Sequence, residues 1–97
     1  MTVAGKLQDF LKAVASETRQ RILFLFMDGQ ERTVNQVARD ADLGQSTASE
    51  NLALLKRGGL VMARREGKEV YYFPDRACIR AMIQELTALL DHCCPPK

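Results

Sequence analysis

One histidine, three cysteines and no apolar run approaching the roughly 20 residues that span a bilayer narrow the field for this 97-residue chain before any motif is read. His92 stands alone, and no Ser/His/Asp or Cys/His arrangement, Gly-rich phosphate loop or paired carboxylate set accompanies it, which argues against an enzyme. An odd number of cysteines, two of them adjacent at Cys93-Cys94, does not build a secreted disulfide framework. The first residues, MTVAGKLQDF, are amphipathic and lack the apolar segment of a signal peptide. These absences together predict a cytoplasmic chain with thiols reduced at rest and no membrane partner. Repeats, low-complexity tracts and flexible linkers are lacking too. With 46% hydrophobic residues, the chain suits one domain, residues 1–97, near the size at which a second copy helps stability.

What is present concentrates between Thr33 and Phe73. Thr33 to Ala41 places Val34, Val37 and Ala38 at helical spacing. Leu43-Gly44 then reads as a short turn, with Gly44 supplying the freedom that ends one helix and re-aims the chain. A second helix follows, with Ser46 or Gln45 near its N-cap and Ala48, Leu52 and Leu55 on its apolar face. The opposite face carries Gln45, Ser46, Thr47 and Ser49, short polar groups able to reach base edges, with Asn51 available to donate to phosphate. One stripe anchored in a core and one stripe readable by duplex DNA is what a recognition helix requires.

Two β-prone runs come next, Leu60 to Arg64 and Glu69 to Phe73, around a turn at Arg65-Glu66-Gly67-Lys68. Lys56, Arg57, Arg64, Arg65 and Lys68 face only Glu66 and Glu69 in this region, although the whole chain carries just +2. A basic hairpin beside a recognition helix is a wing, and Arg64, Arg65 and Lys68 are its expected phosphate contacts. Lys6 to Ala15 reads as a first helix. Ser16 caps a second, nearly apolar all round at Ile22, Leu23, Leu25, Phe26 and Met27 and stopped by Asp28-Gly29. A last helix starts after Pro74 with Asp75 at or near its N-cap and runs to about His92. Its Ile79, Met82, Ile83, Leu86, Leu89 and Leu90 cover more than one face, a surplus that a homodimer explains. The expected fold is mainly α with a β-hairpin wing: a winged helix-turn-helix of five helices and one two-stranded hairpin.

The segments ASETRQRIL, QSTASENLALLKRGGLV and RREGKEVYYF, in that order, resemble the ArsR/SmtB-type winged-helix repressors from about Leu7 to Leu90. The resemblance implies a dimer formed by the first and last helices, bound to a palindromic operator and released by a metal ion, metalloid or thiol-reactive signal. Family members often carry a basic residue and a histidine where this chain has Glu50 and Asn51. Glu50 near phosphates costs affinity unless it accepts from a cytosine amino group or pairs with a cation.

The resemblance also bears on the sensor. The stretch RTVNQVA has none of the cysteines that the family's cadmium-type and persulfide sites place there. Against the zinc-type pattern Asp75 and Asp91 match, Ala77 and Ala88 do not, and His92 is displaced, a poor zinc site. The ending LLDHCC is similar to a subset of arsenite-responsive members, and soft thiolates suit a thiophilic metalloid. No cofactor is required. Cys78 lies about 22 Å before Cys93 along one helix, so it could approach the tail only across an antiparallel dimer. Cross-linking to Cys78 or between subunits is favoured over a strained bond between Cys93 and Cys94. Cys78 also reads as a small buried group in a dimer seam. Three function classes stay open: an operator-binding repressor with sensor thiols Cys78, Cys93 and Cys94, a winged-helix regulator without a sensor, and a protein-interaction module that has lost DNA binding, which Glu50 supports.

Overall fold

In the computed structural model, which describes residues 5–94, the chain forms α1 (Gly5–Val14), α2 (Glu17–Leu25), a 3-10 turn (Phe26–Asp28), α3 (Val34–Ala41), α4 (Gln45–Arg57), β1 (Val61–Glu66), β2 (Glu69–Pro74) and α5 (Arg76–Cys93). Five α-helices and one antiparallel hairpin are the expected fold class. Local side chains start the helices. The Ser16 hydroxyl accepts the Arg19 amide at 3.3 Å at the head of α2. At α3, Thr33 accepts the Gln36 amide while the Gln36 side chain accepts the Thr33 amide, a reciprocal capping box that satisfies two otherwise free donors. The Asp75 carboxylate accepts the Cys78 amide at 3.1 Å and opens α5.

The core is one cluster centred on α4. Ala48, Leu52 and Leu55 are fully enclosed, and Leu7 and Phe10 of α1, Ile22 of α2, Phe26, Val37 of α3, Leu60, Val61 and Met82 of α5 close around them. At about 1.5–3 kcal/mol for each fully buried aliphatic side chain, this cluster offsets much of the cost of ordering the chain. Gly58 lets α1 approach the end of α4: a Cβ there would lie 2.6 Å from the Ala13 Cβ and 2.9 Å from the Asp9 carbonyl oxygen.

Four local expectations change. Asp42, not Gly44, takes the left-handed conformation that ends α3 (φ +56). A short polar side chain tolerates that region, so Gly44 keeps an ordinary extended backbone and serves as the N-cap of α4 in place of Gln45 or Ser46. The hairpin turn is shorter than the four residues expected: Glu66 pairs with Glu69, leaving Gly67-Lys68 as the loop. Gly67 has φ +62 at the first central position and Lys68 does not share it, the pattern of a type II′ turn whose twist suits a hairpin. Lastly, α2 is not enclosed all round. Ile22 and Phe26 are buried, whereas Phe24 and Met27 are 66% and 59% exposed, because α1, α3 and α4 cover only one side of it.

The last helix stands apart from the rest. Only Met82 is buried on α5; Ile79, Leu86 and Leu89 are half-buried and Ile83 and Leu90 are exposed. The radius of gyration, 15.0 Å, exceeds the roughly 13 Å of a spherical domain of this size, since α5 projects beyond its own core.

Candidate nucleic-acid interface

Helix α4 presents two faces that the packing keeps strictly separate. Ala48, Leu52 and Leu55 face inward, and Gln45, Ser46, Thr47, Ser49 and Glu50 are all exposed. Gln45, Ser46, Ser49 and Glu50 line a concavity of about 460 Å³ whose far side is Val34, the first residue of α3. The polar stripe expected from the sequence is therefore exposed, next to the start of α3. Among the described residues no cation lies within ion-pair distance of Glu50, so its carboxylate stands free on that stripe.

Asn51 is placed differently. It is half-buried, its amide donates to the Thr47 carbonyl at 2.8 Å, and its carbonyl accepts from Arg19 Nη1 at 3.3 Å. The same guanidinium donates Nε to the Ala13 carbonyl at 2.8 Å and Nη2 to the Lys12 carbonyl at 3.1 Å. Arg19 thus bonds two carbonyls at the end of α1 and ties α1 and α2 to α4. By its local sequence Arg19 reads only as a residue of the α2 cap; its partner on α4 is 32 residues away and leaves no local signal.

The wing divides its cations. Arg65 and Lys68 are exposed, and among the described residues neither has an ion-pair partner. Arg64, expected as a third phosphate contact, is engaged instead. Its Nη2 lies 2.6 Å from Glu31 Oε1, its Nη1 2.7 Å from Glu66 Oε2, and its guanidinium sits 4.9 Å from the centre of the Tyr71 ring. The Glu66 and Glu31 carboxylates further stabilise its charged form. Lys56 and Arg57 are exposed in the last turn of α4, where cations also complement the helix dipole.

Behind the interface lies a second arginine that sequence reasoning missed. Arg32 is only 8% exposed. Its guanidinium donates to Asp28 at 2.7 and 3.1 Å, to Asp40 of α3 at 2.9 Å and to the Leu25 carbonyl at 2.8 Å. Its backbone exchanges two hydrogen bonds with Tyr72 of β2, at 3.0 and 2.8 Å. Hydrogen bonds from Arg39 and then Arg32 pull the Asp40 carboxyl down to about 2, and the Arg32 hydrogen bond lowers Asp28 as well. The spacing of Asp28, Arg32 and Asp40 by four and eight residues is the only trace of this cluster in the sequence.

The sensor residues are scattered. Cys78 is half-buried in the first turn of α5, and its Sγ lies 2.5 Å from where a Cβ on Gly59 would stand, so it packs against the end of α4. Cys93 and Cys94 are exposed and joined to each other, against the expectation that other cross-links are favoured. The junction lies where α5 ends at Cys93 and Cys94 leaves the helix in extended backbone. Asp75 is engaged as a helix cap, while Asp91 and His92 lie about 24 Å away along α5. Among the described residues no group of three or more His, Cys, Asp or Glu side chains could hold a metal ion within one chain. No described helix is long and apolar enough to cross a membrane.

Comparison with known proteins adds to this geometry. A helix-turn-helix domain family matches residues 14–64. The transcriptional activator HlyU of Vibrio cholerae serotype O1 is 39% identical over 79 residues, spanning 81% of this chain and 72% of its own length. The solved HlyU structure superposes with a TM-score of 0.68 over 88% of this chain and 91% of that one. The homodimeric winged helix-turn-helix DNA-binding domain of a possible ArsR-family regulator from Mycobacterium bovis is 35% identical, with a TM-score of 0.71 over 90% of this chain and 81% of that one. The cadmium resistance transcriptional regulatory protein CadC homolog of Staphylococcus aureus is 34% identical over 74 residues, 76% of this chain and 61% of its own length.

Proposed function

This chain belongs to the ArsR/SmtB-type winged helix-turn-helix transcriptional regulators, and on that premise we propose that it is a homodimeric repressor that holds operator DNA through α4 and the wing and is released by reaction at its tail cysteines. The observation that carries the reading is the two-faced α4. Its apolar stripe is enclosed, so the helix cannot rotate to hide Gln45, Ser46, Thr47 and Ser49, and those side chains remain available to base edges in a major groove. Arg65 and Lys68 supply phosphate contacts beside it. The exposed Ile83 and Leu90 of α5 support a two-fold partner, as in the homodimeric M. bovis domain. Repression needs no surface beyond the DNA interface, because a bound dimer excludes other proteins by occupancy. HlyU, named an activator, uses the same scaffold with the opposite sign. The direct test is anisotropy of a labelled duplex from the promoter of the chain's own operon over a salt series. Binding that weakens linearly in log salt is expected; no binding at any salt overturns the reading.

The tail thiols are the proposed switch. Exposure of Cys93 and Cys94 at the end of a helix with an uncovered apolar face supports this. The Cys93–Cys94 bond is then the reacted form, and making it from the two reduced thiols passes two electrons and two protons to an oxidant such as a peroxide. Arsenite would take the same two thiolates and draw a third, Cys78, from the second copy. A coupling of about five- to 150-fold in operator affinity is ordinary for such a switch. Operator binding by Cys93→Ser/Cys94→Ser, and separately by Cys78→Ser, with and without peroxide, arsenite or zinc, tests it. Release of the parent but not of the double variant by peroxide or arsenite is expected. Release of the parent by zinc alone points instead to Asp75, Asp91 and His92 shared between subunits. A second reading, a regulator without a sensor, is favoured at one residue only: Cys78 fills the space beside Gly59 as a packing group.

A further inference from the structure

A two-stranded hairpin has little stability of its own, and this one leaves the body of the protein only through its two ends. Val61 and Tyr72 pack its base on the core, and residues 31 and 32 add a tie to each of its strands. The Arg32 backbone pairs with Tyr72 at the edge of β2, and its guanidinium anchors that point to Asp28 and to Asp40 on α3. Glu31, the adjacent residue, reaches the other strand and holds Arg64 of β1 through Nε at 2.8 Å and Nη2 at 2.6 Å. Arg64 is further held by Glu66 and stacked on Tyr71, so both its hydrogen-bonding edges and one face of its planar guanidinium are occupied.

We propose that Glu31 is a positioning residue for DNA binding: by holding Arg64 it pins β1 to the α2–α3 junction and sets where Arg65 and Lys68 stand relative to the readable face of α4. Arg64 then serves as the wing's anchor and not as a phosphate contact. The lever is long enough to matter. Gly67 lies three residues beyond Arg64, about 10 Å at the usual rise of a strand, so a 15° change at the anchor moves the wing tip by about 3 Å, a full hydrogen-bond length. The inference rests on the reading of α4 and the wing as the DNA interface, and it goes beyond it by assigning opposite roles to neighbouring arginines on one strand.

The two roles give opposite signs for Glu31→Gln. If Arg64 were a spare phosphate contact held idle, removing the carboxylate would free it. Operator affinity would then rise at low salt, and the slope of log K against log salt would steepen by about 0.9 for each wing. If Glu31 positions the wing, Glu31→Gln weakens operator binding two- to fivefold without steepening the slope, and Arg64→Gln weakens it similarly. The double variant is then no worse than either single one. A measurement without DNA accompanies these. Backbone ¹⁵N order parameters of Arg65 to Glu69 are expected to fall from about 0.85 toward the flexible range in both single variants, while those of α4 stay unchanged. Tighter binding by Glu31→Gln, or wing order parameters unmoved by it, overturns the proposal. A parent that binds no duplex breaks the DNA reading instead, and the wing measurement still decides the joint.

Discussion

Leu52 on α4 and Leu90 on α5 are the same side chain in the same kind of helix, yet one is fully enclosed and the other is 64% exposed. Around Leu52 the chain completes itself. The cap at Thr33, the Arg19 tie and the Arg32 cluster all find their partners within one copy. Around Leu90 only one side of α5 is covered, and Ile83 repeats the exposure nearly two turns earlier. The difference teaches that the helix-turn-helix half completes its packing within the single chain, whereas the C-terminal half of the last helix leaves an apolar surface uncovered. On the proposed function, a reaction at the end of α5 would act on how two copies meet without unfolding α4.

The contrast breaks first at its strongest point. Leu52→Ala should cost about 2–5 kcal/mol of unfolding free energy, read by urea denaturation, whereas Leu90→Ala should change it by less than about 0.5 kcal/mol at concentrations where the chain is monomeric. Equal losses would show that the end of α5 around Leu90 belongs to the same core as Met82. Next comes assembly. Ile83→Glu/Leu90→Glu should sediment as a monomer with unchanged helix content, because a charge placed in an apolar seam is left without a partner. Loss of the linked second half-site should lower affinity for a palindromic duplex about 10²–10⁴-fold; a stable dimer of this variant would move the interface elsewhere.

Smaller effects sharpen the division within the reading head. Arg65→Ala/Lys68→Ala removes four contacts from a dimer, so the salt slope should shrink by about 3.6, at about 0.9 per contact. Adding Arg64→Ala should shrink it no further, and a further loss of about 1.8 would return Arg64 to the phosphate set. The smallest effect is on acid stability. The Asp40 carboxyl is held at about 2, below its unfolded value, by hydrogen bonds from Arg39 and Arg32. A depressed folded value contributes stability that is fully present above the unfolded value, near pH 4, and lost as pH falls toward 2. Thermal melts should therefore show the parent losing stability between pH 4 and 2 more steeply than Asp40→Asn, with the pH dependence of the two alike above pH 5. Identical acid profiles would leave the Arg32 cluster without a role in stability.

The helices, the enclosed stripe of α4, the exposed polar stripe opposite it and the surplus on α5 are all legible in the order of residues, because a 3.6-residue period sorts side chains to faces without knowing what they face. The Ser16 and Asp75 caps are legible for the same reason: a cap acts on an amide three residues ahead. Legibility fails where a choice depends on small backbone differences. Asp42 and Gly44 both lie at the end of α3, and only the folded backbone shows that Asp42 is the one in the left-handed region.

Charge on the wing marks the other boundary. Arg64, Arg65 and Lys68 look alike in sequence, since each is a cation on a basic hairpin, and a local reading gives all three to phosphate. Folding brings Glu31 to Arg64 across 33 positions of chain and leaves Arg65 and Lys68 uncovered. Asn51 is engaged in the same way by Arg19. Sequence alone determined the elements and the apolar and polar faces of α4, because periodicity, capping and turn chemistry act over a few residues, and its ordered motifs carried the resemblance to the family. Only the tertiary structure decided which charges remain free, because hydrogen bonds and ion pairs reach no further than a few ångströms and their partners are chosen by packing, not by order along the chain.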